Sequence, residues 1–232
     1  MKTVSIVIPC FNEEKNIPLI FNKLKEFQNY KNIEVILVNN GSTDKTYDKI
    51  KEFQKSLSFI KLVNLTFNQG YGGGIISGLK IARGEILAWT HADMQTDPLD
   101  ILKGLKYFEN NKKDVFVKGK RYGRSLFDNF FTIGMSFFET FLLKKILWDI
   151  NAQPTMFYKT FFDSWSNPPS DFSLDLYAYF LAKKRKFHFY RFRVFFDKRR
   201  FGESKWNTGF SSKFKFIKRT LVYSFNLNKH IK

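Results

Sequence analysis

Short apolar, β-branched runs alternate along this chain with stretches of helical periodicity, and no other feature restricts its fold as much. Thr3 to Pro9 reads as a buried strand. Asn12-Glu13-Glu14 then opens a helix that continues past Pro18 to about Gln28, with Ile20, Leu24 and Phe27 on one face. Ile33 to Val38 and Phe59 to Leu65 are the next two strands, followed by helices over Lys45 to Lys55 and Tyr71 to Ala82. Glu85 to Thr90, Leu99 to Phe108 and Asp114 to Lys118 continue as strand, helix and strand. Alternation with such short connections predicts an α/β fold: a Rossmann-like, mostly parallel, nucleotide-binding sheet with helices on both faces. A chain of 232 residues is long enough for one such domain with a proper core.

In an open α/β sheet, ligands meet the carboxyl ends of the strands. The run Trp89-Thr90-His91-Ala92-Asp93-Met94-Gln95-Thr96-Asp97-Pro98 carries strand residues straight into polar groups at such an end. Asp93, flanked by His91 and Gln95, offers hard oxygens and one imidazole. That set suits Mg2+ or Mn2+ shared with a phosphate better than a closed zinc site. The plainer reading is a strand-to-helix loop with a capping Asp. Asn68 to Gly74 invites a dinucleotide reading, but Ile75 stands where the third Gly of GxGxxG belongs, and no GxxxxGK[ST] occurs. These glycines let the backbone approach a ligand or the sheet closely. The single Cys10 excludes an internal disulfide or a cysteine cluster and fits a reducing, cytoplasmic setting. The opening residues read as a strand instead of a signal peptide, and no window carries the roughly 18 apolar residues that a spanning helix needs.

The net charge of +18 is concentrated late: Lys183 to Lys232 holds sixteen Lys or Arg against Asp197 and Glu203. Aromatics, among them Phe189, Tyr190, Phe192, Phe195, Phe196, Trp206, Phe210 and Phe216, are interleaved with these cations. The mixture fits an anionic membrane surface or single-stranded nucleic acid. A nucleic-acid module explains neither Asp93 nor the acidic first loop, so no nucleic acid is expected. Gly119 to Arg124 reads as a basic turn. Leu126 to Ile146 is a Phe-rich helical stretch, either a core helix pair or an interfacial segment on lipid. Its exposed partner would be membrane or a second subunit, including a homo-oligomer. Asn151 to Phe157 reads as a strand region, Pro168-Pro169 as a rigid turn, Leu174 to Lys184 as a helix and Phe187 to Phe196 as a strand. Residues 1–212 would form the main domain, with 1–118 its first half and 119–212 its second. Residues 213–232 would form a basic amphipathic helix, its apolar positions lying within Lys213 to Leu227.

Six stretches together resemble glycosyltransferase family 2, and within it the polyprenyl-phosphate glycosyltransferases related to dolichol-phosphate mannose synthase. They are IVIPCFNEE (Ile6 to Glu14), LVNNGSTDKT (Leu37 to Thr46), NQGYGGG (Asn68 to Gly74), HADMQTDP (His91 to Pro98), GKRYGR (Gly119 to Arg124) and RRFGESKW (Arg199 to Trp206). The resemblance implies the GT-A fold and an inverting transfer from a UDP- or GDP-sugar, with 1–118 the nucleotide-sugar half and 119–212 the acceptor half. It places Pro9, Phe11, Glu13, Asn39, Asn40, Asn68, Gly70, His91, Ala92 and Asp93 at the nucleotide. Asn39 and Asn40 stand where the family commonly has two Asp, which alters base and ribose contacts. Asp93 and Gln95 match the metal side of the Asp-x-Asp signature, whose first Asp is here His91. Arg121 resembles a residue near the diphosphate or acceptor; Arg199, Arg200 and Lys205 fall in the RxxGxSK region. Asp149 and Asp175 lie near acidic positions on the acceptor side, candidates for a base.

Chemistry separates two acceptor classes. A sugar hydroxyl needs a general base, whereas a phosphate monoester is already largely anionic at neutral pH. The basic trio of Arg199, Arg200 and Lys205 beside aromatic residues favours a polyprenyl-phosphate acceptor over a glycan hydroxyl. Without such a ligand the trio is a solvated charge run. The expected setting is peripheral, at the cytoplasmic inner face of a membrane.

Overall fold

The structure, a computed structural model, describes residues 2–109, 112–124, 126–202 and 220–227, with the backbone alone for 126–131. Seven strands form one sheet: β1 (Val4–Cys10), β2 (Ile33–Asn40), β3 (Ile60–Leu65), β4 (Ile86–Trp89), β5 (Val115–Tyr122), β6 (Thr155–Tyr158) and β7 (His188–Phe195). The α-helices are α1 (Ile17–Leu24), α2 (Thr46–Gln54), α3 (Gly70–Ile81), α4 (Asp100–Leu105), α5 (Leu126–Leu143), α6 (Lys159–Asp163) and α7 (Leu174–Lys184), and 220–227 are also helical.

Strand order is β3-β2-β1-β4-β6-β5-β7. β1 pairs in parallel with β2 and β4, β2 with β3, and β5 with β7, whereas β6 runs antiparallel to both β4 and β5. Six strands therefore point one way, giving the mostly parallel sheet that the alternation implies.

The period of two splits the core. Ile6, Ile8, Val35 and Leu37 pack with α1, α2 and α4 on one face, while Val7, Ile36 and Val38 pack with α3 and α7 on the other. α1 buries Ile17, Ile20, Phe21 and Leu24, an i, i+3, i+4, i+7 stripe. α3 lies against the sheet because Gly78 has no side chain: a Cβ there would sit 2.5 Å from Val7 Cγ1. The glycine-rich segment also fits beneath the Pro168-Pro169 turn, where Gly73 N–H donates to the Ser170 carbonyl at 2.8 Å.

Several boundaries differ from the sequence reading. α1 begins at Ile17 instead of the Asn12 region. Asn12 is left-handed (φ 57°), and the backbone N–H groups of Glu13 and Glu14 donate to Thr46 Oγ1 and Asp44 Oδ2 at 2.8 and 3.1 Å. Those loop bonds compete with a helical start. The expected basic turn from Gly119 is strand as far as Tyr122, because β7 pairs along it up to Tyr122 opposite Phe195. α5 stops at Leu143, where Lys144 takes φ 52°. β6 is shorter than expected, and α6 has no counterpart in the sequence reading. The boundary at 212/213 and the helix start at Lys213 fall outside the described residues.

Candidate active site

The tips of β1 and β4 are neighbours. α1, which follows β1, covers one face, and α3, which leads into β4, covers the other. A crevice opens where connections diverge in this way. A cavity of about 730 Å³ occupies it.

Pro9, Phe11 and Glu13 line it from the end of β1, Asn40 from β2, Asn68 and Gly70 from the start of α3, and His91, Ala92, Asp93 and Gln95 from the segment after β4. Arg121 on β5, Asp175 on α7 and Arg199 after β7 complete the expected residues gathered here. Asn39, Asp149 and Arg200 are not in the wall. Asn39 is buried, donates to Asn64 Oδ1 at 2.6 Å and accepts from Ser42 N–H at 3.3 Å. Arg200 is exposed, and Lys205 lies outside the described residues. Asn40 is committed to shaping the loop: its Oδ1 accepts from Gln69 N–H at 3.0 Å and its Nδ2 donates to the Gly70 carbonyl at 2.9 Å.

Asp93 is only 7% exposed. Met94 takes the left-handed conformation (φ 58°), and the chain folds back so that Gln95 N–H donates to Asp93 Oδ1 at 3.1 Å. Asp93 Oδ2 accepts from Arg199 Nη2 at 2.7 Å. Gln95 joins the two segments twice: its Nε2 donates to the Asp197 carbonyl at 3.1 Å, and its own carbonyl accepts from Asp197 N–H at 2.8 Å. The segment after β7 is thereby fastened over the tip of β4.

Burial pushes the Glu13 carboxyl up to about 6; the bond from Asn16 opposes this, and the Asp93 charge adds to it. Burial lowers the His91 imidazole, so the ring is neutral at pH 7. That ring stacks on Tyr71 at 5.5 Å, and Tyr71 stacks on Phe172 at 4.8 Å, forming an aromatic wall. Asp149 is held by Arg121, whose Nε donates to Oδ1 at 2.8 Å and whose N–H donates to Oδ2 at 3.0 Å. Burial alone would raise Asp149, but the Arg121 charge and hydrogen bonds outweigh it and keep the carboxyl below its ordinary value.

Among the described residues no group of three or more His, Cys, Asp or Glu could hold a metal ion by itself. A lone buried carboxylate, already engaging a cation in Arg199, fits a divalent ion whose remaining ligands are phosphate oxygens and water. Asp93, with Gln95 beside it, would hold such an ion.

Sequence reasoning missed part of the cavity wall: Thr132, Met135 and Ser136 of α5, Ile150, Leu176 and Thr220. No local motif marks these residues; tertiary packing assembles them. It also missed Lys118, which is 1% exposed. A lysine directly after the apolar run Val115 to Val117, within the expected strand, was the available signal.

The profile described as Glycosyl transferase family 2 matches residues 5–224. The chain belongs to this family. A dolichyl-phosphate beta-glucosyltransferase of Trichomonas vaginalis is 32% identical over 128 residues, 51% of this transferase and 39% of that protein. The dolichol-phosphate mannosyltransferase of Pyrococcus furiosus is 29% identical over 119 residues, 51% of this chain and 33% of that one. The transferase thus spans well under half the length of these relatives. Among solved structures, glucosyl-3-phosphoglycerate synthase from Mycobacterium tuberculosis, in complex with Mn2+, UDP and phosphoglyceric acid, superposes with a TM-score of 0.76. Identity is 15%, with 100% of this chain and 80% of that one covered. The likeness carries the fold, that of the GT-A glycosyltransferases.

Proposed function

We propose that this glycosyltransferase moves a sugar from a UDP- or GDP-sugar to a polyprenyl phosphate, with inversion and with Mg2+ or Mn2+. The observation that carries the reading is the continuity of one cavity. Asp93 and Arg199 share its wall with Met135, Ile150 and Leu176, and α5, which adds Thr132 and Ser136 to that wall, exposes Phe137 and Phe141 at 75% and 80%. A phosphate head and a hydrocarbon tail need that pairing of environments. The names of the dolichyl- and dolichol-phosphate relatives support the same acceptor class.

Pro9, Phe11, Glu13, Asn40 and Asn68 would receive the nucleoside, and Asn39 would hold the loop that they share. A bound divalent ion supplies Lewis-acid neutralisation of the departing diphosphate. Arg121, anchored by Asp149, adds fixed positive charge beside the site. An acceptor phosphate oxygen attacks the anomeric carbon, the bond from that carbon to the diphosphate oxygen breaks, and the nucleoside diphosphate leaves with the electron pair. No proton has to be removed, because the acceptor is already anionic at neutral pH. Arg199 would hold that phosphate once it turns from Asp93, with Arg200 and Lys205 as further cations.

The setting follows from the same surface. Among the described residues no helix is long and apolar enough to cross a membrane. Ile133, Phe137, Phe141, Ile146, Val222 and Phe225 are exposed on and beside α5 and the 220–227 helix, in a chain of net charge +18. Such a surface suits the cytoplasmic face of an anionic bilayer.

The test is transfer of radiolabelled sugar from UDP-glucose and GDP-mannose to a short polyprenyl phosphate, with free glucose and mannose as rival acceptors. Product on the lipid phosphate alone is expected. Product on the free sugars alone would replace this reading with that of a glycan-extending transferase, for which Asp175 in the cavity wall is the available base.

A further inference from the structure

Beneath the aromatic wall lies a buried polar cluster that sugar transfer to a phosphate does not by itself require. Asp175 is 2% exposed yet reaches the cavity wall. Its Oδ1 accepts from Gln153 Nε2 at 2.7 Å and lies 3.4 Å from Lys118 Nζ, and Lys118 also donates to Thr155 Oγ1 at 2.7 Å. Gln153 Nε2 reaches Tyr71 Oη at 3.1 Å, which ties the cluster to the His91 and Phe172 stack. Asp175 shares the cavity wall with His91 and Asp93, and both carboxylates act on the His91 ring.

A bare carboxylate at that position would repel an anionic acceptor and an anionic donor alike. Its useful partners are neutral hydroxyls, because a carboxylate accepts hydrogen bonds and donates none. Tyr71 supplies one such hydroxyl, and in a nucleotide-sugar site the transferred sugar is the hydroxyl-rich group that would supply others. A charge buried this deeply also needs an opposite charge, and Lys118 is the cation 3.4 Å behind it.

We propose that Lys118 is a positioning residue for donor recognition: its ammonium holds the Asp175 carboxylate at the cavity wall, where Asp175 accepts hydrogen bonds from hydroxyls of the transferred sugar. This rests on the reading of the cavity as a nucleotide-sugar site. It makes Lys118 and Asp175 determinants of sugar binding, separate from the groups that hold the nucleotide.

Burial is the largest influence on Lys118 and lowers it to about 8; Asp175 and Asp149 raise it and Arg191 lowers it further. Thr155 on β6 and Tyr179 on α7, whose ring centroid is 5.9 Å from Nζ, complete its surroundings. The ammonium form therefore fades as pH rises through about 8.

Calorimetric titration of UDP, UDP-glucose, GDP and GDP-mannose, with Mn2+ present, from pH 6.5 to 9.5, tests the proposal. Wild-type protein is expected to lose nucleotide-sugar affinity on crossing pH 8, with affinity for the bare diphosphate unchanged. At pH 7, Lys118→Met and Asp175→Asn are each expected to weaken nucleotide-sugar binding about tenfold, the scale of one hydrogen bond to a charged group, and to leave the diphosphate within twofold. Asp175→Asn keeps the shape and removes the buried charge, so it answers the question even where Lys118→Met does not fold. Either variant binding nucleotide sugar like wild type, or losing sugar and diphosphate affinity together, overturns the proposal. Wild-type protein that binds no nucleotide at all refutes the cavity reading itself, and this inference with it.

Discussion

Asp149 and Asp175 are both buried acids near the same cavity, and their neighbours give them different work. Arg121 grips both oxygens of Asp149, Arg191 lies 3.9 Å from Oδ2, and the carboxyl is kept below its ordinary value of 3.8. A carboxylate so engaged is a poor proton acceptor at neutral pH and a good anchor for a guanidinium. Asp149→Asn is therefore expected to destabilise the fold by about 3 kcal/mol, the scale of breaking a buried pair, as read by urea unfolding at pH 7; a loss under about 1 kcal/mol would show the pair to be ornamental. The folded value is depressed, so this stabilisation is present above pH 3.8 and disappears as pH falls through the depressed value. Arg199 has a different character: it is bonded to Asp93 at 2.7 Å, but a quarter of its side chain is exposed. Arg199→Ala should raise the apparent KM for polyprenyl phosphate about tenfold while donor affinity changes less than threefold. Equal losses for both substrates would remove Arg199 from the acceptor site.

At the scale of elements, α5 and the 220–227 helix carry the testable features. Glu139 on α5 is fully buried, and neither oxygen has hydrogen-bonding geometry to a partner among the described residues. Burial pushes its carboxyl from 4.5 up to about 7, with Ser224 pulling the other way. A raised folded value means the protonated form is the compatible one, so stability is full below pH 4.5 and is lost as pH rises to about 7. Glu139→Gln should remove that slope and stabilise the protein by up to about 3 kcal/mol at pH 8, with little effect at pH 4; an unchanged pH profile of melting temperature would contradict it. On the outer face, Phe137→Asp with Phe141→Asp should cut binding to phosphatidylglycerol vesicles at least tenfold, and should leave nucleotide binding in solution intact. Vesicle binding that survives the pair would move the membrane face elsewhere.

The same elements show what the sequence could and could not disclose. The strands were legible because Ile6, Val7, Ile36 and Leu37 are β-branched or apolar at every step, as a sheet covered on both faces demands. The start of α1 was not, because Glu13 and Glu14 look like a helical first turn until Thr46 and Asp44, distant in sequence, claim their N–H groups. β5 extends through Gly119 to Tyr122 because β7 lies alongside, a partnership invisible in a local window. The cavity-lining residues at the end of β1, the start of α3 and after β4 sit on contiguous motifs and were readable. Lys118 and Gln153 meet at Asp175, and α5 joins the cavity wall, only in three dimensions, so neither placement was legible.

Over the whole molecule, a single sheet brings the tips of β1, β2, β4 and β5 and the segment after β7 to one cavity, while α5 adds Thr132, Met135 and Ser136 to its wall and exposes Phe137 and Phe141. The charge of +18 should make association with anionic vesicles fall steeply between low and high salt, as screening requires; neutral vesicles should bind weakly throughout. The proposed function assigns to Asp93, a buried carboxylate in that cavity, a cation that links protein to diphosphate. Calorimetric titration of UDP and GDP with and without Mn2+, in wild-type protein and in Asp93→Asn, tests that claim most directly. Mn2+ should tighten binding of one nucleotide at least tenfold in the wild type and not in a folded Asp93→Asn; equal enhancement in both proteins would contradict the account.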